Sequence, residues 1–197
     1  MSVPAYKEWA VIVHALLEGE QILDVRKGGL REDGRHFGLH ADRAWLYPTA
    51  EHQQPELLKP AYRRTVDLAP GSLVGEPIRI EGWADIVGAT TITDPDRLAA
   101  LDSKLIWTFE YAESRLRWKK RQPLWVLAMR AYRLAEPIEV PWREEYGGCT
   151  SWVDLLDDLP DPTDLPYEPA LSDTAFAARL KGVVTALGMP LPEPALD

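Results

Sequence analysis

A segment of eleven residues near the amino terminus, residues 19–29, constrains the fold most, because it joins a helix end, a short strand and a glycine turn. Before it, the apolar residues of 7–17 recur at the spacing of one buried helical face, and Gly19 can adopt the left-handed conformation that ends such a helix. Within it, strand side chains alternate between two faces, so Asp24 and Arg26 point the same way. The sequence therefore predicts a helix, a stop and a strand that carries two opposite charges into a turn.

The composition is typical of a globular protein and excludes two broad classes. The chain has 197 residues, of which 46% are apolar and 27% are charged, which is enough for one substantial core. Its longest apolar run, 9–17, is too short to cross a bilayer and no signal-peptide pattern opens the sequence, so we expect a cytoplasmic protein with no membrane partner. The net charge of −9 argues against non-specific coating of nucleic acid, which needs many phosphate contacts.

The chain divides into a main domain, a linker and a tail. Helices and strands alternate irregularly over residues 1–159, which predicts one α+β domain with mostly antiparallel strands or a small barrel. Residues 160–171 are rich in proline and acidic side chains and are predicted to form an extended linker. Residues 172–197 are predicted to form a C-terminal helix and tail.

Local patterns predict most of the individual elements. In the main domain we expect strands at 43–47, 78–93 and 124–134, a short helix near 55–62, and helices at 94–101 and 108–118. In the tail, a helix that begins at Ser172 or Asp173 and ends at Gly188 presents an apolar stripe of Phe176, Leu180, Val184 and Leu187. A solvent-facing stripe would support docking of a protein partner, and a packed stripe would weaken that reading.

Four segments of the chain carry a resemblance to a known family: Ala5-Tyr6-Lys7-Glu8-Trp9-Ala10-Val11, Arg26-Lys27-Gly28-Gly29, Leu46-Tyr47-Pro48-Thr49 with the nearby His52-Gln53, and Gly148-Cys149-Thr150-Ser151-Trp152. Together they resemble the bacterial family called domain of unknown function 1802. The match covers nearly everything before the linker, and the family name implies no activity.

A second resemblance is carried by the pattern Gly19-x-Gln21-x-x-Asp24-x-Arg26, which is similar to the Gly-x-Lys-x-x-Glu-x-Arg signature of ASCH domains. These domains belong to the PUA-like superfamily, so the resemblance implies a small β-barrel with flanking helices and a cleft for RNA or modified nucleosides. Residues 82–87 also resemble a barrel strand of that superfamily. Gln21 stands where the signature has lysine, and glutamine transfers no proton, so the resemblance implies binding rather than deacetylase-like or ribonuclease-like catalysis.

A basic stretch at 115–121 offers a second binding element. Arg115, Arg117 and Lys119 are cationic and Trp118 has an aromatic face, a combination that holds phosphates and stacks on unpaired bases. The alternative is a helix end whose cations complement the helix dipole while the indole packs in the core.

Together these features predict a cationic cleft that binds RNA or a modified nucleotide without a cofactor or metal ion. Arg26 and Lys27 would hold phosphate, Gln21 and Asp24 would read polar base atoms, and Tyr47 or Trp118 would stack on a base. The alternative reading of the first segment is a helix end, a core strand and a surface ion pair. The predicted binding residues are Gln21, Asp24, Arg26, Lys27, Tyr47, Arg115, Arg117, Trp118 and Lys119.

Two other functions stay open at this point. A metal-dependent nuclease of the PD-(D/E)XK type could use Asp85 with Asp102-Ser103-Lys104, and Glu8 could supply a further carboxylate. A non-catalytic interaction module could use the C-terminal helix. His36 and His40 are predicted to lie in a loop rather than to bind a metal, and the lone Cys149 is either an exposed thiol in a glycine turn or a small buried residue.

Overall fold

The computed structural model describes residues 3–27, 39–69, 71–118, 122–155 and 159–196. It confirms the α+β class, with a mixed seven-stranded sheet of order β2-β5-β4-β3-β1-β6 and with β7 beside β5. The strands are β1 Ala5–Trp9, β2 Leu23–Arg26, β3 Arg43–Thr49, β4 Ile78–Ile92, β5 Leu124–Val140, β6 Trp152–Val153 and β7 Tyr167–Pro169. The α-helices are α1 Ala10–Leu17, α2 Pro95–Leu101, α3 Phe109–Arg117 and α4 Asp173–Leu187, and short 3-10 turns include Pro55–Leu57 and Pro60–Asp67.

The barrel expected from the PUA-like resemblance is wrong, because the sheet does not close. At one end of the strand path β2 and β7 both pair with β5, and at the other end β6 pairs with β1. Among the described strands no backbone ladder joins these two ends. The terminal strands β2 and β6 are only four and two residues long, so they offer few backbone groups for a closing ladder.

The first helix begins at Ala10, three residues later than the pattern predicts. Residues Ala5–Trp9 instead form β1, which pairs in parallel with β3 and antiparallel with β6. The sequence pattern does not separate this strand from the helix, because β1 is mostly buried and is followed directly by the buried α1. The predicted stop is confirmed, because Gly19 has a φ of +66° and its amide donates to the Leu16 carbonyl.

The two long strands β4 and β5 form the centre of the sheet, and two glycines of β4, Gly82 and Gly88, lie at irregularities in their pairing. The register shifts between Ile80 and Gly82 and again between Ile86 and Gly88. A Cβ at Gly82 would lie 2.2 Å from the Tyr132 carbonyl oxygen, so close approach of the two backbones requires glycine there.

The C-terminal helix α4 packs on the main core. Phe176, Val183 and Leu187 are buried in the same cluster as α1 and the central strands, and Leu180 packs against that cluster. Residues 160–171, which connect the main domain to α4, contain β7 and a short 3-10 turn at Pro162–Asp164. Much of the apolar stripe of α4 is therefore covered within the chain. In the described ranges, the helices are too short or too polar to cross a membrane.

Candidate functional site

A cleft of about 250 Å³ opens where the ends of β1 and β2 meet α3. Its floor is formed by residues at the ends of these strands, and one wall by Trp107 and α3. The opposite wall is formed by residues 148–151, which lead into β6, and by the turn after β3 that contains His52. The cleft thus lies at the opening between the two ends of the sheet.

Side chains, rather than a backbone ladder, join β1 to β2 beside this cleft. Tyr6 donates through its hydroxyl to Asp24 Oδ2 at 2.5 Å, and Arg26 donates through Nη2 to the Lys7 carbonyl. We call this contact the β1–β2 seam. Asp24 and Arg26 lie on the same face of β2, and both side chains reach toward β1.

Arg26 is the centre of a buried charge network at the seam. Its Nη1 lies 2.8 Å from Glu8 Oε2, and its Nε donates to the Tyr6 hydroxyl at 3.0 Å. Nε of the same guanidinium lies 3.9 Å from Asp24 Oδ2, so one cation forms ion pairs with two carboxylates. Asp24 is fully buried, whereas the Arg26 side chain is 17% exposed and lines the cleft together with Glu8.

Burial sets the protonation behaviour of this network. It raises the pKa of Glu8 to about 7, with Asp24 adding to the rise and Arg26 opposing it. Burial also raises the pKa of the Tyr6 hydroxyl. Burial by itself would lower the pKa of Arg26, but Glu8, Tyr6 and Asp24 raise it above its usual value. Arg26 therefore stays cationic, while Glu8 can hold or release a proton near neutral pH.

Two further cations reach the cleft from β2 and α3. Lys27 is 2% exposed and donates through Nζ to the Leu116 carbonyl near the end of α3, and burial, together with the charge of Arg115, lowers its pKa. The Arg115 guanidinium lies 4.9 Å from the ring centroid of Trp118. Arg115 forms no ion pair with another described residue, so its charge is available to a ligand.

Aromatic rings form the wall beside these cations. The ring centroids of Trp9 and Trp107 are 4.8 Å apart, and Tyr111 stacks on Trp9 at 6.0 Å. The Trp107 indole nitrogen is buried and has no hydrogen-bond partner in the part of the chain that the structure describes.

Lys7 positions the opposite wall. Its ammonium donates to the Tyr146 and Gly148 carbonyls at 3.1 and 3.2 Å and lies 3.5 Å from Glu51. The Gly148 backbone has a φ of +86°, which favours glycine at this turn. Cys149 follows directly, is exposed and lines the cleft. Of the two alternatives that the sequence left open for this residue, the exposed thiol in a glycine turn describes its position.

The structure brings four of the predicted binding residues to one cleft: Arg26, Lys27, Arg115 and Trp118. Asp24 lies beneath them in the seam. Lys119 lies outside the described residues, as do the Gly28-Gly29 turn and His36.

Three other predicted residues occupy different places. Gln21 is buried and bonded on both sides, since its amide nitrogen donates to the Leu23 carbonyl and its oxygen accepts from the Ile106 amide. Tyr47 is buried in the part of the core on the far side of β3. Arg117 is exposed on α3 and pairs with the Glu113 carboxylate at 2.8 Å. None of the three is among the described residues that line the cleft.

Sequence reasoning did not assign Glu8, Trp107 and Tyr111 to the binding site. A usable signal was present for Glu8, because Lys7-Glu8 places two charges inside an otherwise apolar and aromatic run. The two aromatic residues carry no such signal, since tryptophan and tyrosine before and within a helix are common core residues.

Two of the three carboxylates considered for a nuclease pair with cations away from the cleft, whereas Glu8 lies in the seam. Asp85 accepts two hydrogen bonds from Arg43, at 2.7 and 3.2 Å, and Asp102 pairs with Lys59 at 3.2 Å. In the described ranges no group of three or more histidine, cysteine, aspartate or glutamate side chains is arranged to hold a metal ion.

Comparison with known proteins gives a family but no activity. A family model described as "Domain of unknown function (DUF1802)" matches residues 5–182. No curated protein matches the chain. The match includes the strands, helices and loops that form the cleft.

Proposed function

Because the chain belongs to the DUF1802 family, whose description assigns no activity, we propose its function from the cleft: it binds a single-stranded RNA segment or a modified nucleotide, with phosphate on Arg26 and Arg115. The observation that carries this proposal is the convergence of guanidinium groups and aromatic faces on one small concave surface. Guanidinium groups bind phosphate oxygens in pairs, and aromatic rings stack on unpaired bases. We expect the protein to act in the cytoplasm.

Charge supports an anionic ligand. The described lining contains four cationic side chains, Lys7, Arg26, Lys27 and Arg115, against the two carboxylates of Glu8 and Glu51. This local excess of positive charge stands in a chain whose net charge is −9. A cationic cleft on an acidic surface favours a single anionic group over the long phosphate backbone of a duplex.

Size supports a ligand of about one nucleotide. The volume of about 250 Å³ lies below the ~300–1,000 Å³ that is common for ligand pockets. A double helix is too wide for such a space, whereas a free nucleotide or a base turned out of a single strand is of suitable size.

The proposal assigns distinct roles to the sequence-predicted residues. Arg26 and Arg115 contact phosphate and Trp118 supports the Arg115 guanidinium. Lys27 adds charge while its ammonium holds the end of α3. Asp24 orients Arg26 through the Tyr6 hydroxyl and does not itself contact the ligand.

The proposal is tested by binding of fluorescently labelled single-stranded RNA, measured at two salt concentrations and in competition with a free mononucleotide. Arg115→Ala is expected to weaken binding about tenfold or more, because it removes a charge-assisted contact. The magnitude of the salt slope should fall by about 0.7, the value for one phosphate contact on a single strand. Arg117→Ala is the matched control, since it removes the same residue type two positions away on the exposed face. Equal losses in the two variants would contradict the cleft as the binding site.

Cys149 gives a second readout. It is the only cysteine of the chain, it is exposed and it lines the cleft. A saturating ligand should therefore slow the reaction of this thiol with a disulfide reagent. Tight binding that leaves the thiol reaction rate unchanged would place the ligand elsewhere.

A further inference from the structure

The seam contains one positive charge for two carboxylates. Glu8 and Asp24 both lie beside Arg26, at 2.8 and 3.9 Å, and both are buried. With both carboxylates ionised this group of three carries one surplus negative charge, at the floor of a cleft that otherwise suits an anion. Protonation of one carboxylate makes the group neutral.

Glu8 is the carboxylate in contact with the cleft. Asp24 is fully buried, accepts from the Tyr6 hydroxyl and the Val25 amide, and is absent from the described lining. Glu8 lines the cleft, where its Oε1 accepts from the Trp9 amide at 2.6 Å and its Oε2 faces Arg26. A ligand anion would therefore meet the Glu8 carboxyl and not that of Asp24.

Titratable and charged groups face Glu8 from three elements. β2 contributes Arg26 and Asp24, β1 contributes Tyr6, and α3 contributes Arg115 and Tyr111. Arg26 and Arg115 favour the carboxylate, whereas Asp24 and burial favour the carboxylic acid. A phosphate between the two arginines would shift this balance toward the acid, because it adds negative charge and takes up the arginine donors.

We propose that Glu8 is a specificity-determining residue of the cleft, which binds a phosphate group with uptake of one proton by the Glu8 carboxylate. This inference rests on the proposed function. The proton comes from solvent, no covalent bond forms or breaks, and the bound state contains a neutral Glu8 whose hydroxyl donates to a phosphate oxygen. Arg26, released from its ion pair with Glu8, donates to the same phosphate.

The expected consequence is tighter binding at lower pH. The free cleft releases the Glu8 proton near pH 7, and the bound cleft keeps it, so affinity is constant well below this pH and falls above it. With the bound form protonated throughout, the affinity should fall about tenfold between about pH 6 and about pH 8. Proton uptake per ligand should be about one half near pH 7 and should approach one near pH 8.

The test uses the full chain and a dinucleoside monophosphate that contains only adenine bases, because neither its diester phosphate nor its bases titrate in this range. Calorimetry in two buffers of different ionisation enthalpy gives the proton uptake of the wild-type protein directly. Glu8→Gln should bind without uptake and with equal affinity at both pH values, and Glu8→Asp should restore a pH dependence. His52→Asn is the matched control, because His52 also lines the cleft, and it should keep the wild-type pH dependence.

The outcomes separate this inference from the function on which it rests. Binding of the probe with no proton uptake, or a pH dependence that is kept in Glu8→Gln and lost in His52→Asn, would overturn the role of Glu8 and leave the binding function intact. No binding of the probe, of single-stranded RNA or of a mononucleotide at either pH would overturn both.

Discussion

Replacing Glu8 with glutamine should remove a pH-dependent loss of stability from the fold. Burial raises the pKa of the Glu8 carboxyl from 4.5 to about 7, so the folded protein keeps a proton that the unfolded chain releases between these values. The stabilisation from a raised carboxyl pKa is complete below the unfolded-state pKa and is lost as the pH rises through the folded-state pKa. At about 1.4 kcal/mol for each pKa unit, the full loss is about 3–4 kcal/mol, of which about 3 kcal/mol falls between about pH 4 and about pH 8.

The assay is urea unfolding of the wild-type protein and of Glu8→Gln between about pH 4 and about pH 8, followed by tryptophan fluorescence. As the pH rises over this range, the unfolding free energy of the wild-type protein should fall by about 3 kcal/mol relative to that of Glu8→Gln. Glu18→Gln is the matched control, because Glu18 is an exposed partner of Arg133 and its difference should stay within about 0.5 kcal/mol. A Glu8→Gln difference that is the same at every pH would refute the reasoning.

Four further stability changes can be measured by the same unfolding experiment at neutral pH. Gly82→Ala should cost about 3 kcal/mol or more, because its methyl group would lie 2.2 Å from a carbonyl oxygen of the neighbouring strand; an unchanged midpoint would contradict the close backbone approach. Gly182→Ala, inside α4, should instead stabilise by about 0.5–1 kcal/mol, and a loss would indicate a clash at that helix face. Phe176→Ala should cost about 3–5 kcal/mol while the exposed Leu196→Ala changes stability by less than about 0.5 kcal/mol; equal small effects would mean that α4 does not belong to the core. Lys27→Met should cost about 1–3 kcal/mol, since a buried carbonyl at the end of α3 loses its donor, and no loss would show that this bond is not stabilising.

Element boundaries that depend on local chemistry could be predicted from the sequence. The side chains of Asp94, Thr108 and Ser172 each accept a hydrogen bond from the first turn of the helix that follows, as their residue types indicate. Gly19 and Gly188 both adopt the left-handed conformation after a helix. Each of these signals acts within about four residues, so no information about the rest of the fold is needed.

Sheet topology and barrel closure could not be predicted in the same way. The Ala5–Trp9 strand is specified by its partners β3 and β6, which lie far away in the chain. Four of its five residues are buried, so the alternation of polar and apolar side chains that identifies a half-exposed strand is missing. The short signature around Asp24 and Arg26 indicated a strand with two charges, but it contained no information on whether that strand closes a barrel.

The candidate site shows the same division between local and distant information. Arg26, Lys27, Arg115 and Trp118 belong to two short cationic segments, and both segments reach the cleft. The residue that gives the cleft its pH sensitivity, Glu8, comes from a third segment and is brought there by the pairing of β1 with β3. Its significance depends on burial and on a shared guanidinium, and neither can be read from its neighbours in sequence.

The energetics of the seam favour a functional origin for its charges. Two buried carboxylates, a tyrosine and an arginine must all be removed from water, and a well-packed apolar contact of similar volume is often as stable or more stable. This buried polar group lies where the sheet is open and the cleft begins. Ionisable groups with shifted pKa values in a cleft are a recurring property of binding and catalytic sites. The open sheet is thus best understood together with the cleft, because the Lys7 carbonyl of β1 accepts a hydrogen bond from Arg26 of β2 and both Arg26 and Glu8 line the cleft.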